Sequence, residues 1–377
     1  MRTLIVSDLH LGSVSRSDLL RSTELRVVLL KALADVDRLV LLGDALELRH
    51  GPMREAMDAA RPFFEDLGRV LAGRELVIVA GNHDHALIEP WLARRGEEHE
   101  PPPLGPEQLL EPAQVSPALE RIEGWVSPAR LRVAYPGLWL RPDVYATHGH
   151  YLDCHLTVPT LERLSLGAMA RLLGKPASVF ACVDDYEATV APVFAWRDTV
   201  ARDAHTGAAL NGAATVSAWS ALRGGRARDI RDRAGAVRWL RSHAIAAAFP
   251  VAVAALNRVG VGPLRTEVSM AALRRAGLEA MGEVAARLDL GDAYVVFGHT
   301  HRLGPLPGDD EREWRGRLGA RLVNTGSWTY APIFLGTAAG EGPYWPGTCV
   351  IVGDDGPPTI ERLLLDRTHT QLDSPAS

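Results

Sequence analysis

The chain has 377 residues, 47% of them hydrophobic and 23% charged, with a net charge of −5. That length accommodates one large domain with an insertion, or two domains, and the mild negative charge argues against a dedicated nucleic-acid binder while leaving a local basic patch open. The three cysteines, Cys154, Cys182 and Cys349, are widely spaced with no Cys-x-x-Cys, which excludes a disulfide framework and fits a reducing compartment.

The first element is a short apolar run from Thr3 that ends abruptly in Asp8, Leu9 and His10. It reads as a buried strand whose tip carries two metal-ligand residue types. A loop over 11–17 leads into a helix expected from Asp18 to about Ala34, with Leu19, Leu20, Val27, Leu30 and Leu33 on its apolar side. Strand two reaches Gly43 and Asp44. A helical segment then runs from about Met53 to Gly73, with an interruption or kink expected near Pro62. Strand three, 75–80, leads into Gly81, Asn82, His83 and Asp84. This β-α-β-α-β order predicts a parallel sheet with crossover helices.

The proline-rich stretch 97–117 reads as a surface loop, and the sequence around Pro136 and Gly137 as two short antiparallel strands. Strand four brings in His148 and His150. From 155 to 289 the chain reads as helical, rich in Ala and Arg, and is expected to be an inserted cap. Strand five carries His299 and His301, a further strand ends in the small polar residues 324–328, and 348–352 with 359–365 form a closing hairpin. The expected division is a core in two parts, 1–154 and 290–366, the cap at 155–289, and a frayed tail at 367–377.

Five strands thus deliver polar residues at their C-terminal ends, the edge of an open α/β sheet where sites are built. Asp8, His10, Asp44, Asn82, His148, His299 and His301 offer oxygen and nitrogen but no sulfur, which suits manganese, iron or zinc. Seven ligands are too many for one ion with an open position. They are about right for two ions sharing a bridging carboxylate, and such a pair, ~3.5–4 Å apart, can clamp the oxygens of a phosphoryl transfer.

The set AspLeuHis, GlyAsp, GlyAsnHisAsp, HisGlyHis and GlyHisThrHis resembles, in order and spacing, the calcineurin-like metallophosphoesterase family, and AsnThrGlySerTrp at 324–328 resembles the strand that follows its last motif. The resemblance implies a layered α-β-β-α sandwich with sheets inside, helices outside and the inserted helices over the metal edge. It implies a phosphoesterase with two divalent metal ions, manganese favoured over iron or zinc. Asp8, His10 and His301 would hold the first ion, Asn82, His148 and His299 the second, and Asp44 would bridge them. A metal-bridging hydroxide would attack phosphorus in line, and His83, its ring oriented by Asp84, would serve the leaving oxygen. The substrate is expected to be a phosphate monoester, diester or pyrophosphate. A lipid-linked phosphoester of the kind cleaved by UDP-diacylglucosamine hydrolases, a nucleic acid, and a non-catalytic scaffold are the alternatives.

His85, His150 and His155 lie near the motifs and are candidates to touch substrate or to support the ligands. Glu47 is expected to anchor the segment after Asp44, and Cys154 to be a packed side chain. In the cap, residues 223–241 hold seven arginines and two acids, a pattern of either a solvated ion-paired helix or a basic wall for phosphate, nucleic acid or an anionic membrane. The apolar run 244–256 after it reads as a buried cap helix or as a surface for an acyl chain or membrane interface. At 13 residues it is shorter than the ~20 a membrane span needs. No leader sequence is evident at the start. A cytoplasmic protein is expected, with peripheral membrane contact open and no obligate nucleic-acid partner.

Overall fold

A computed structural model describes residues 1–202 and 248–373. The first part alternates strands and helices: β1 (Thr3–Val6), α1 (Thr23–Ala32), β2 (Arg38–Leu42), α2 (Met53–Val70), β3 (Glu75–Val79) and α3 (Glu89–Glu97). Next come β4 (Glu107–Leu110), α4 (Pro112–Val115), α5 (Pro117–Val126), β5 (Arg130–Arg141) and β6 (Val144–Thr147). After them lie α6 (Leu161–Leu172), α7 (Val183–Arg202), a helical run over 248–258, and α8 (Met270–Arg287). The chain closes with β7 (Tyr294–Phe297), β8 (Arg321–Asn324), β9 (Thr348–Val352), β10 (Thr359–Arg362) and α9 (His369–Asp373).

Ten strands among the described residues join in one sheet, ordered β10-β9-β1-β2-β3-β5-β6-β7-β8, with β4 on β5. β1, β2 and β3 are parallel to one another, as are β6, β7 and β8. Buried on both faces, these strands are continuous apolar runs such as LeuIleVal at 4–6, the pattern a covered parallel sheet requires. The expected four layers are present. Leu4, Val6, Leu39, Leu41 and Ile78 face α1, α2 and α5 in one core. Ile5, Val40, Leu42, Val77 and Val79 point the other way, into an inner core with Ala146, Val296 and Val323 from the second half of the sheet. Val295, Phe297 and Leu322 face α6, α7 and α8 in a third core.

Several expectations are corrected. β5 is one strand, not two: residues 130–134 pair with β3 and residues 137–141 with β6. Pro136, which cannot donate to a ladder, falls where the strand changes partners. The stretch 97–117 is not wholly loop, because β4 adds to β5, α4 follows, and Ser116 caps α5 by accepting from Leu119 N. α2 continues through Pro62, whose ring sits on the exposed face where water can serve the carbonyl it leaves unbonded. In the first helical segment Leu25 and Leu29 are buried and Val27 is exposed, because a 3-10 turn at Leu19–Arg21 resets the phase before α1. The tail is tied down as far as α9, through buried Leu372 and the bond of Tyr330 Oη to His369 Nδ1.

The described part of 155–289 is helical and packs against the sheet. α8 is the crossover between parallel β6 and β7, and its Ala280, Met281 and Val284 pack in the third core. The arginine-rich stretch 223–241 lies outside the described residues. Of the apolar run 244–256, the described part is helical, with Val253 buried and Val251 exposed.

Candidate metal centre

The loops after β1, β2, β3, β6 and β7 converge. Asp8, His10 and His301 bring one ligand atom each to within 4.8 Å of one another, and so do Asp44, His148 and His299. Asp44 lies between the groups, its Oδ2 3.6 Å from His10 Nε2 and 3.3 Å from His148 Nε2. Asn82 Oδ1 is 3.0 Å from both His148 Nε2 and His299 Nδ1. All seven residues singled out from the sequence are therefore neighbours.

The backbone is bent to achieve this. Asp8, His10, Asp44, His299 and His301 have φ of 54°, 47°, 51°, 65° and 56°, a left-handed region that costs a non-glycine residue about 1–2 kcal/mol. Hydrogen bonds hold the bends in place: His10 N donates to Asp44 O at 2.8 Å, and His299 N to Asp8 Oδ2 at 3.0 Å. The glycine before His299 is required by space, since a Cβ on Gly298 would run into Ser7 Oγ and Asp8 Oδ2.

Each histidine has one nitrogen engaged away from the centre. His10 Nδ1 donates to Glu47 (2.9 Å), His148 Nδ1 to the Leu42 carbonyl (3.0 Å) and His299 Nε2 to Asp153 (3.0 Å), while His301 Nδ1 lies 3.3 Å from Thr329 Oγ1. These partners leave the other nitrogens with lone pairs pointing inward. His10 Nε2 and His301 Nε2 then face each other at 3.3 Å, and buried Asp8 Oδ1 has no hydrogen-bond partner, with His301 Nε2 only 3.2 Å away. Lone pairs aimed at one another call for a cation between them, and the donor set fits a divalent ion of the manganese, iron or zinc type. Asn82 alone would be better satisfied with its amide turned to accept from Arg49 Nη1 at 3.0 Å; an ion beside the two histidines favours the oxygen inward.

The field of the site agrees. Burial opposes a charge on His10, yet the hydrogen bond to Glu47 and the charges of Asp44, Glu47 and Asp8 raise its pKa to about 9. His148 is likewise raised to about 9 against its burial, chiefly by Asp44. Carboxylates that draw protons onto these rings would draw a divalent cation in their place.

Two expected roles change hands. Asp84 does not touch the His83 ring. Its carboxylate accepts from the backbone N–H of Gly81 (2.6 Å), Ala45 (2.8 Å), Asp44 (3.3 Å) and Leu46 (3.3 Å), so it braces the turn that presents Asp44. Burial and the nearby Asp44 charge raise its pKa to about 6. Glu47 orients His83 instead, accepting from Nδ1 at 2.8 Å while holding His10 with the same carboxylate. Burial pushes the His83 pKa down, against the pull of Glu47 and Asp44. Glu47 was legible only as an acid three residues past Asp44, and Asp153 and Thr329 carried no motif signal at all.

A cavity of about 270 Å³ opens beside Asp44, Asn82, His83, His299 and His301. His85, His150 and His155 do not line it. His85 is buried between Tyr135 and Phe194 with Nε2 3.6 Å from Glu187, and His150 is buried behind His148 with neither ring nitrogen hydrogen-bonded. His155 lies 2.7 Å from Tyr186 Oη, its pKa lowered to about 4 by burial and Arg287. Cys154 is a buried packed side chain, as expected, and burial pushes its thiol pKa up.

A four-layered α/β sandwich with nitrogen and oxygen groups that could hold metal ions gathered at its strand ends is an arrangement suited to metal-dependent hydrolysis. Residues 1–171 match the family model for calcineurin-like phosphoesterase, a family that comprises metal-dependent phosphoester hydrolases that use two metals. The matched part contains Asp8, His10, Asp44, Asn82, His83 and His148, and the fold brings His299 and His301 to it from beyond. No curated protein matches the chain. Among the described residues no helix is long and apolar enough to cross a membrane.

Proposed function

We propose that the chain hydrolyses a phosphoester at a two-metal centre in which Asp8, His10 and His301 hold one ion, Asn82, His148 and His299 hold the other, and Asp44 is shared. The convergence of inward lone pairs from four histidines on the carboxylates of Asp8 and Asp44 carries this reading. Manganese is taken as the ion to test first; the donor set of imidazole, carboxylate and amide oxygen without sulfur suits iron and zinc as well. When bound, two divalent ions make water a better nucleophile and offset the charge that builds on the phosphoryl oxygens.

The protein's own groups do the rest. His83 lines the cavity with Nδ1 held by Glu47, which leaves Nε2 as the nitrogen open to substrate. Water that has given up a proton to solvent adds to phosphorus, the bond to the leaving oxygen breaks, that oxygen takes a proton from His83 Nε2, and the neutral ring regains one from solvent. Glu47 and an incoming phosphate anion favour the protonated ring that this donation needs, against the depression that burial imposes on its pKa. Leu156, Thr160 and Glu162 line the cavity, so the segment 155–289 takes part in setting which esters fit against the core of 1–154 and 290–366. Cys154, Cys182 and Cys349 are all free thiols, which supports a cytoplasmic site of action.

The test is hydrolysis of p-nitrophenyl phosphate and bis(p-nitrophenyl) phosphate by metal-stripped protein reloaded with Mn²⁺, beside His83→Ala. Metal-dependent turnover that falls ~10²–10⁴-fold in the variant is expected. Absence of turnover with both ions bound, or turnover indifferent to His83, would oppose the reading.

A further inference from the structure

The cavity is not uniform away from the ligands. Leu152, Leu156, Leu273 and Leu278 form an apolar wall, and Arg274, Arg302 and Trp314 also line it. Trp314 Nε1, Arg302 Nε and Arg274 Nε are buried with no hydrogen-bond partner. Trp314 and Arg302 are 3% and 5% exposed, so water cannot readily serve their donors. Buried N–H groups are rarely left without an acceptor, and these three lie just beneath the wall of one cavity, where a bound acceptor that draws the side chains toward it would serve them.

Each guanidinium is ion-paired at its Nη2 atom and unpaired at Nε. Arg302 Nη2 donates to Asp309 at 2.7 Å, and its guanidinium carbon lies 4.9 Å from the centre of the Trp314 ring. Arg274 Nη2 donates to Glu313 at 3.0 Å. Arg274 and Arg302 line the cavity and their partners Glu313 and Asp309 do not; besides Asp44, the acids that line it are Asp153, bonded to His299, and Glu162, ion-paired with Arg197. A planar cationic group with an unpaired N–H suits a carboxylate or phosphate.

Resting on the phosphoesterase reading above, we propose that this cavity receives the leaving half of the substrate, and that the leaving half carries a second oxyanion, carboxylate or phosphate, on a compact apolar body. The oxyanion meets Arg274, Arg302 and Trp314, and the body lies on the leucines while the scissile phosphoryl group sits at the metal ligands. A cavity of about 270 Å³ matches a single ring or short chain.

The test compares phenyl phosphate, 3-carboxyphenyl phosphate and 1,3-phenylene bisphosphate on the Mn²⁺-loaded protein; phenol and 3-hydroxybenzoate have similar phenolic acidity. At least one acid-bearing ester is expected to exceed phenyl phosphate about tenfold or more in kcat/KM, as charge-assisted hydrogen bonds allow, and the better of the two names the oxyanion. That ratio should fall toward one in Arg274→Gln, whose side chain is partly exposed and tolerant of change, and shrink in Trp314→Phe. Equal kcat/KM for all three esters, or a preference untouched in both variants, would overturn the inference while leaving the phosphoesterase reading intact. Absence of metal-dependent turnover on every ester would overturn both.

Discussion

Glu47→Gln isolates the least visible part of the centre. The Glu47 carboxylate accepts from His10 Nδ1 at 2.9 Å, from His83 Nδ1 at 2.8 Å and from the Arg49 backbone N–H at 3.0 Å. An amide of the same shape has one acceptor oxygen and one donor nitrogen, so either the two rings share a neutral oxygen while the Arg49 N–H faces an NH2 group, or the rings face the NH2 themselves; in both cases the charge that supports the rings is gone. A hydrogen bond to a charged group contributes about 1.5–3 kcal/mol, equivalent to roughly 10–100-fold in an equilibrium or rate. Loss of a partner behind a metal-bound histidine has effects of the same order. The variant should therefore bind Mn²⁺ about 10–100-fold more weakly by isothermal titration. It should also keep a lowered kcat on p-nitrophenyl phosphate at saturating metal, because His83 is misaligned as well as His10. Asp84→Asn, by contrast, disturbs a backbone brace and should show mainly as a lower melting temperature. Unchanged metal affinity and kcat in Glu47→Gln would refute the assignment of Glu47 to both rings.

Three further outcomes follow from the same geometry. Gly298→Ala should weaken Mn²⁺ binding by about tenfold or more, measured by titration, because its Cβ collides with Asp8 and Ser7, and a contact in this core cannot shift without costing about 1–3 kcal/mol. A chelator should lower the melting temperature by several degrees, since ions at about a hundred times their dissociation constant stabilise by ~2.7 kcal/mol. Burial works against ionising Glu162, but Arg197 at 3.0 Å outweighs it and holds the carboxyl below its usual range. Its contribution to stability is thus present above the ordinary value of 4.5 and lost as pH falls through the lowered one. The melting-temperature gap between the protein and Glu162→Gln should be full at neutral pH and close on acidification.

The clustering of the candidate ligands was legible because each ends a strand in a short run of restricted residue types, and a parallel sheet sends all such ends to one edge. Their supports were not. Asp153 lies on a 3-10 turn, Thr329 follows a strand, and Glu47 stands in an irregular loop, so no periodicity links them to the rings they hold. Asp84 was misread because adjacency to His83 along the chain does not bring the side chains together: in this turn one points to Glu47 and the other to backbone N–H groups. The strand content of β5 was split in the sequence by Pro136, whose effect depends on a change of neighbours that only the assembled sheet defines. The left-handed backbone at Asp8, His10, Asp44, His299 and His301 was not legible either, since Asp and His enter that region more readily than most residues but still in a small minority of positions.

The most direct measurement is activity against metal equivalents. Metal-free protein would be titrated with Mn²⁺ while hydrolysis of p-nitrophenyl phosphate and bound metal per chain are followed together. The account predicts no turnover without metal and a rise that levels off at two ions per chain, the capacity of the seven ligands around Asp44. Full activity at one ion per chain, or turnover that ignores added and removed metal, would contradict it.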